Sequence, residues 1–438
     1  MTTLKTRDLL ALGFMTFALF LGAGNIIFPP IVGLAAGEHL WSAALGFLLT
    51  GVGLPLITVV ALARVGGGLQ TITSPTGKTA GVLLGLAVYL TIGPLFATPR
   101  TATVSFELGV APFVGDSPWA LGSYTALYFG LVMVLALFPG KLVDNIGKLI
   151  TPVLILALVV LGGAAFLLPA GTLMASAPDY HSANLALGQG FVQGYQTMDA
   201  LAALVFGIVI VNAIKDSGVE SESLHTRYTI IAALIAATGL ALVYVSLIYL
   251  GATSGSLTPD ATTGVKILTS YVQHTFGGWG MALLAVVILL ACLTTGVGLV
   301  TACATYFCQL LPCSYRSMVV AMSLLSMAVA NQGLEQLIAV AVPVLVTIYP
   351  VSIALVLLSL LTSCWKQARR VYAPVMGVAL VLGLIDGAKA AGLVDAPQWL
   401  TTLPGAAMGM AWLTPVLAAL LLAAAADRVL PAPDAAQV

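Results

Sequence analysis

The sequence predicts an all-α polytopic membrane protein of about twelve transmembrane helices. Three observations carry that reading. Of 438 residues, 60% are hydrophobic and 7% charged, where a soluble domain holds about 25% charged residues; the mean hydropathy is +1.08. Apolar stretches recur along the whole chain at lengths near the ~20 residues a helix needs to cross a hydrocarbon core. Lysines and arginines fall almost entirely into alternate connections, as the positive-inside rule requires of a correctly counted set of spans.

Taken in order, the first span covers 8–36 and is interrupted. Lys5 and Arg7 precede it, but the run far exceeds the ~7–15 apolar residues of a cleaved leader, so it reads as a retained helix. Spans follow at 40–63, 79–106, 119–138 and 147–168. The sixth, 186–213, is interrupted like the first. The remainder lie near 227–251, 279–310, 316–331, 336–361, 373–394 and 404–427. Connections are short except 169–185 and 252–278, and in the latter Val265, Leu268 and Val272 recur at helical spacing, which predicts a short amphipathic helix capping the outer side. With the N-terminus inside, thirteen of the 16 lysines and arginines fall in inner segments, Lys266 and Lys389 fall outside, and Arg100 lies within the membrane. Both termini are therefore expected on the cytoplasmic side.

The interruptions are the informative feature. The first contains "GAGNIIFPP" at 22–30; the second reads "LGQGFVQGYQTMDALAALVFG", with Gly190, Gln193, Gly194, Gln196, Thr197 and Asp199 at mid-membrane depth. Unsatisfied backbone groups in lipid cost several kcal/mol each, so a break is tolerated where it is buried in protein or lines a wet cavity. A glycine kink for close helix packing is the plainer reading of the first break alone. Together they head two groups of five spans, and five is odd, so the second group starts from the opposite face: an inverted repeat over about 1–168 and 186–361, with two additional helices and a cytoplasmic tail in 362–438. Paired broken helices point to a secondary transporter site, where half-helix N-termini face anions and freed carbonyls face cations.

The eighth span adds oxygens in "LLACLTTGVGLVTA". Thr294 and Thr295 offer two hydroxyls to a hard cation, or bond back to their own helix. Arg100, in "LFATPRTATVSFE", with Glu107 and Asp199, are ionisable groups at membrane depth or its edge, where charge is expensive and commonly functional. They are gating or coupling candidates; a structural pair or snorkelling is the alternative. Other function classes find little support. Zero net charge leaves no basic footprint for nucleic acid. Gly77, Lys78 and Thr79 lack the earlier glycine of a P-loop, since Ile72 stands there. The four histidines are scattered, and Cys303, Cys308 and Cys313 fit no zinc spacing. A channel would call for rings of charge or carbonyl loops.

The strings "ALGFMTFALFLGAGNIIFPP", "GPLFATPRTATVSFE" and "QGYQTMDALAALVFG" are similar to those of the BrnQ-type branched-chain amino acid carriers, and the resemblance runs over essentially the whole chain. It implies sodium-coupled symport of leucine, isoleucine and valine across a bacterial inner membrane, on a LeuT-like fold of five-plus-five inverted helices with two appended. "GAGN" resembles the glycine–asparagine break of sodium-coupled members of that class, which implies that Asn25 helps hold the site and that the Ala18 and Leu21 carbonyls face a sodium ion. "ACLTT" resembles the class's eighth-helix sodium motif, which assigns the Ala291 carbonyl with the Thr294 and Thr295 hydroxyls. The substrate carboxylate is then expected at the amides of Gly22, Ala23 and Gly24, its ammonium at carbonyls near Gly194 and Gln196, and its side chain among Phe20, Phe191 and Tyr195. Asp199 either replaces a sodium by charge or contacts the ammonium. The competing expectation is a proton-coupled carrier of another small neutral amino acid, working through Asp199 or Glu107.

Overall fold

The computed structural model describes residues 4–138, 141–216, 219, 221–395 and 397–430; the expected tail at 431–438 lies outside them. Among the described residues the chain is helical, without strands. Seven helical stretches are long and apolar enough to cross a membrane by length and composition, with two shorter apolar helices beside them. Large apolar side chains such as Leu127, Leu156, Leu242 and Leu421 point outward, as they do when lipid is the surrounding solvent.

The first span is two helices, α1 (Thr6–Phe20) and α2 (Ala23–Ala36), parted at Leu21 and Gly22. α3 (Leu40–Leu48) runs through a π-helical turn at Leu49–Gly53 into α4 (Leu54–Val65). After the short α5 (Leu69–Thr73), α6 (Lys78–Leu90) reaches a second π-turn, where Gly93 leaves helical geometry before Pro94, and continues as α7 (Ala97–Gly109). Such turns widen the helix and recur at functional sites. The first half closes with α8 (Ala111–Val114), α9 (Pro118–Leu137) and α10 (Lys141–Leu167).

The sixth span is again two helices, α11 (Ala183–Gln193) and α12 (Asp199–Asp216), joined by a 3₁₀ turn over Gly194–Thr197. α13 (Glu222–Thr253) follows. α14 (Gly264–Leu310) contains both the expected outer amphipathic helix and the eighth span, bent at Gly277 with φ 65°. Val265, Leu268 and Val272 are buried, so the apolar stripe read from the sequence is the packed one. Then come α15 (Tyr315–Ala330), α16 (Leu334–Leu360), α17 (Ala368–Ala390), α18 (Gln398–Thr401) and α19 (Leu413–Val429). The largest boundary difference is at the last span, which begins at Leu413 rather than 404. Pro404 and two left-handed glycines, Gly405 (φ 86°) and Gly409 (φ 71°), hold 404–412 in turns.

The buried apolar side chains form two clusters. One centres on α2, α3, α13 and the first half of α14; the other on α12, the second half of α14 and α15–α17. The first broken helix packs in the former cluster, and α12 of the second contributes to both.

Candidate functional site

The first break follows from Gly22. In an intact helix its N–H would bond the Ala18 carbonyl. Here Gly22 is extended (φ −109°, ψ −171°), and its N–H donates to Asn25 Oδ1 at 3.2 Å. α1 ends one residue earlier, with the Leu21 N–H donating to the Phe17 carbonyl at 2.9 Å. The carbonyls of Ala18 through Leu21 thus lose their helical donors, and the N–H groups of Ala23, Gly24 and Asn25 open α2 without helical acceptors. One short stretch presents partial negative charge on one side and partial positive charge on the other.

The second break turns on Met198, the one non-glycine residue with positive φ (62°) among those described. A left-handed residue costs of order 1–3 kcal/mol and concentrates at functional sites. It rotates the chain so that Asp199 opens α12, with its N–H donating to Thr197 Oγ1 at 3.4 Å. The end of α11 is satisfied from outside: Thr50, in the first π-turn, donates to the Phe191 carbonyl at 2.8 Å.

Asn25 ties the breaks together. Its Nδ2 donates to Asp199 Oδ2 at 2.7 Å and also to the Tyr244 hydroxyl. Tyr244, fully buried on α13, donates to the same Asp199 oxygen at 2.5 Å. Arg100 enters from α7: its Nη1 donates to the Gln196 carbonyl at 2.5 Å, and its guanidinium lies over the Phe28 ring at 5.1 Å. Gly24 makes room for it, since a Cβ there would stand 2.9 Å from Arg100 Nη1.

Between these groups lies a small cavity. Phe20, Gly22, Ala23, Gly24 and Asn25 line it from the first break; Thr197, Met198 and Asp199 from the second; Arg100 and Thr295 from α7 and α14. Its apolar wall includes Ile92, Phe206 and Leu299. Phe191, Gly194 and Tyr195 do not line it. Gly194 packs against Thr50, and the Tyr195 ring stacks on Tyr349 with centroids 4.1 Å apart, which turns it from the cavity. Gln196 does not line it either; its carbonyl is engaged by Arg100. Glu107 lies further along α7, outside the cavity wall. Phe20 also lines a second, smaller apolar space with Val52, Val59, Ala236 and Leu240.

The two threonines differ. Thr294 Oγ1 donates to the Ala291 carbonyl at 2.9 Å and the Leu290 carbonyl at 3.2 Å. Thr295 Oγ1 is buried without a partner, and the Thr295 methyl lies 3.4 Å from where a Cβ on Gly22 would be. An orphaned hydroxyl beside a helix end rich in freed carbonyls is a donor set of oxygens, the ligand type hard cations take.

Two participants escape sequence reasoning. Tyr244 is one tyrosine in a long apolar helix, and nothing local marks it. Met198 is a residue type that ordinarily avoids positive φ, and only the neighbouring Thr197–Asp199 polarity hints at a turn there.

Comparison with known proteins gives consistent results. The chain is 61% identical over 434 residues to the branched-chain amino acid transport system 2 carrier protein of Pseudomonas aeruginosa, covering 99% of each. It is 54% identical over 426 residues to the branched-chain amino acid permease BrnQ of Escherichia coli K12, covering 97% of each. Among solved structures it resembles Mhp1, a nucleobase-cation-symport-1 family transporter, in a closed conformation with bromovinylhydantoin bound (TM-score 0.59, 15% identity, 96% of this chain and 92% of that one). The inward-facing conformation of Mhp1 matches equally well (TM-score 0.60, 14% identity, 96% and 90%), so the likeness speaks for a shared fold. Residues 5–430 match the family described as "Branched-chain amino acid transport protein", and the chain belongs to that family of membrane carriers, which are transporters and not enzymes.

Proposed function

We propose that the protein is a sodium-coupled secondary symporter that imports leucine, isoleucine and valine by alternating access. In this reading about twelve spans form two inverted five-helix repeats with two helices appended, both termini face the cytoplasm, and the membrane is a bacterial inner membrane. The names of its relatives support the substrate class, and the apolar wall of the cavity suits an aliphatic side chain. One methylene is worth only ~1–3 kcal/mol in such a pocket, so the three amino acids compete for it.

The observation that carries sodium coupling is the partnerless Thr295 hydroxyl beside the first break. In the proposed cage the ion takes oxygens from Ala18 and Leu21 on one side and from Ala291, Thr294 and Thr295 on the other. Sodium binding favours an outward-open state, and the amino acid then completes the cavity between the breaks. The unit made of the first, second, sixth and seventh spans rocks against the rest and opens the site inward. Coupling requires that sodium bind one state more tightly than the other.

Proton coupling is the second reading, favoured by the buried Asp199 carboxylate in the cavity wall, and it would leave the cargo open to other small neutral amino acids. Uptake of labelled leucine into proteoliposomes separates the two. With voltage clamped, an inward sodium gradient alone is expected to drive accumulation. Accumulation under a proton gradient alone would discard the cage and make Asp199 and Glu107 the coupling groups.

A further inference from the structure

Arg100 is a buried cation whose partners do not account for it. It is 2% exposed. Its Nη1 bonds the Gln196 carbonyl, its Nη2 reaches only the Met198 sulfur at 3.7 Å, and its Nε has no partner. No carboxylate among the described residues lies within the 4.0 Å of an ion pair with it. Asp199 shares the cavity but spends one oxygen on Asn25 and Tyr244. The Phe28 ring and the more distant Asp199 carboxylate offset part of its charge, but a buried cation with no direct ion pair and an unbonded N–H is costly for a fold to hold. Here it is set against the open N–H end of α2: the point where a Gly24 Cβ would stand is 2.9 Å from Arg100 Nη1 and 3.2 Å from the Gln196 carbonyl. Two independent sources of positive potential, a guanidinium and a helix N-terminus, therefore converge on one wall of the cavity.

We infer that Arg100 is the residue that binds the α-carboxylate of the substrate, together with the free amides that open α2, and so fixes which way the amino acid lies between the two breaks. This rests on the amino acid reading proposed above and deepens it: the amides alone give partial charge, whereas a guanidinium gives a full charge and a planar fork matched to a carboxylate. The carboxylate supplies the acceptor that Nε lacks. It also makes the site selective for carboxylates over amides, a selectivity that an apolar pocket does not provide.

The test is equilibrium binding of leucine and leucinamide to the purified full-length protein in sodium buffer, for the native chain and for Arg100→Gln and Arg100→Lys, each first shown to elute as a monodisperse species. The native chain is expected to bind leucine and to reject leucinamide. Arg100→Gln is expected to bind leucine about 100-fold more weakly, in line with loss of one member of a buried charge pair, and to distinguish the two ligands by less than about threefold. If the glutamine variant does not fold, Arg100→Lys is read instead: it keeps the charge without the fork, and about a tenfold loss for leucine is expected. A glutamine or lysine variant that binds leucine within about threefold of the native chain and still rejects leucinamide overturns the Arg100 assignment alone. A native chain that binds no leucine overturns the substrate reading and this assignment with it.

Discussion

Thr294 and Thr295 are adjacent in sequence and unlike in bonding. The Thr294 hydroxyl is tied back to its own helix, while that of Thr295 has nothing to bond. Removing the first deletes a helix back-bond; removing the second deletes a buried, partnerless oxygen on a residue that lines the cavity beside the first break. Thr295→Ala is therefore expected to lower the apparent sodium affinity of leucine uptake at least about tenfold, as loss of one charge-bearing contact of ~1.5–3 kcal/mol would, and Thr294→Ala by less. Initial uptake rates measured across a sodium titration give both numbers. Equal, small effects would remove the cage. The two hydroxyls were legible in the sequence as oxygens in an apolar helix, but their inequality was not, because it depends on where Gly22 lands against α14. Arg100 was legible as a charge at membrane depth. Its place between the breaks was not, since the Gln196 carbonyl that receives it stands 96 residues away in the chain.

The elements are held in register by backbone contact. A Cβ on Gly33 would run into the Ile248 carbonyl, and one on Gly251 into the Pro30 carbonyl, so α2 and α13 touch main chain to main chain. Gly46 and Gly190 do the same for α3 and α11 against the carbonyls of Leu187 and Ala43. Small residues at such crossings are how helices gain van der Waals contact when lipid supplies no hydrophobic drive between them. These crossings couple the first span to the seventh and the second to the sixth, the four spans proposed to rock as one body. Gly190→Val cannot be absorbed by a side-chain shift, because the obstacle is backbone; it is expected to cost at least the ~1–3 kcal/mol of an overpacked core and to lower the melting temperature of the purified protein. An unchanged melting temperature would mean that α11 and α3 separate freely. At this scale the sequence was a good guide: Gly22 and the Gly194–Asp199 stretch announce the breaks by composition, and the outer amphipathic helix by period. The start of the last span was misjudged because Leu403, Ala406, Ala407, Met408 and Ala411 read as apolar while Pro404, Gly405 and Gly409 fix turns.

Across the whole molecule, apolar spans are a local property of the chain, which is why its helical, polytopic character and its two broken helices are legible in the sequence. A likeness to Mhp1 at 15% identity over 96% of the chain makes the same point from the other side: the architecture survives when almost every residue has changed. What the chain alone withholds is how its empty spaces adjoin. The site cavity and the apolar cavity between α1, α4 and α13 share a single residue, Phe20. That ring is a partition, with a furnished room on one side and an unused one on the other. In the proposed reading, Phe20 then sets the upper limit on cargo size on that side of the site. Phe20→Ala is expected to join the two rooms and let phenylalanine compete with labelled leucine for uptake, which it should do poorly against the native chain. Width of diet in this fold would accordingly be a quantity that a single codon can reset without disturbing the machinery that holds the charged end of the substrate.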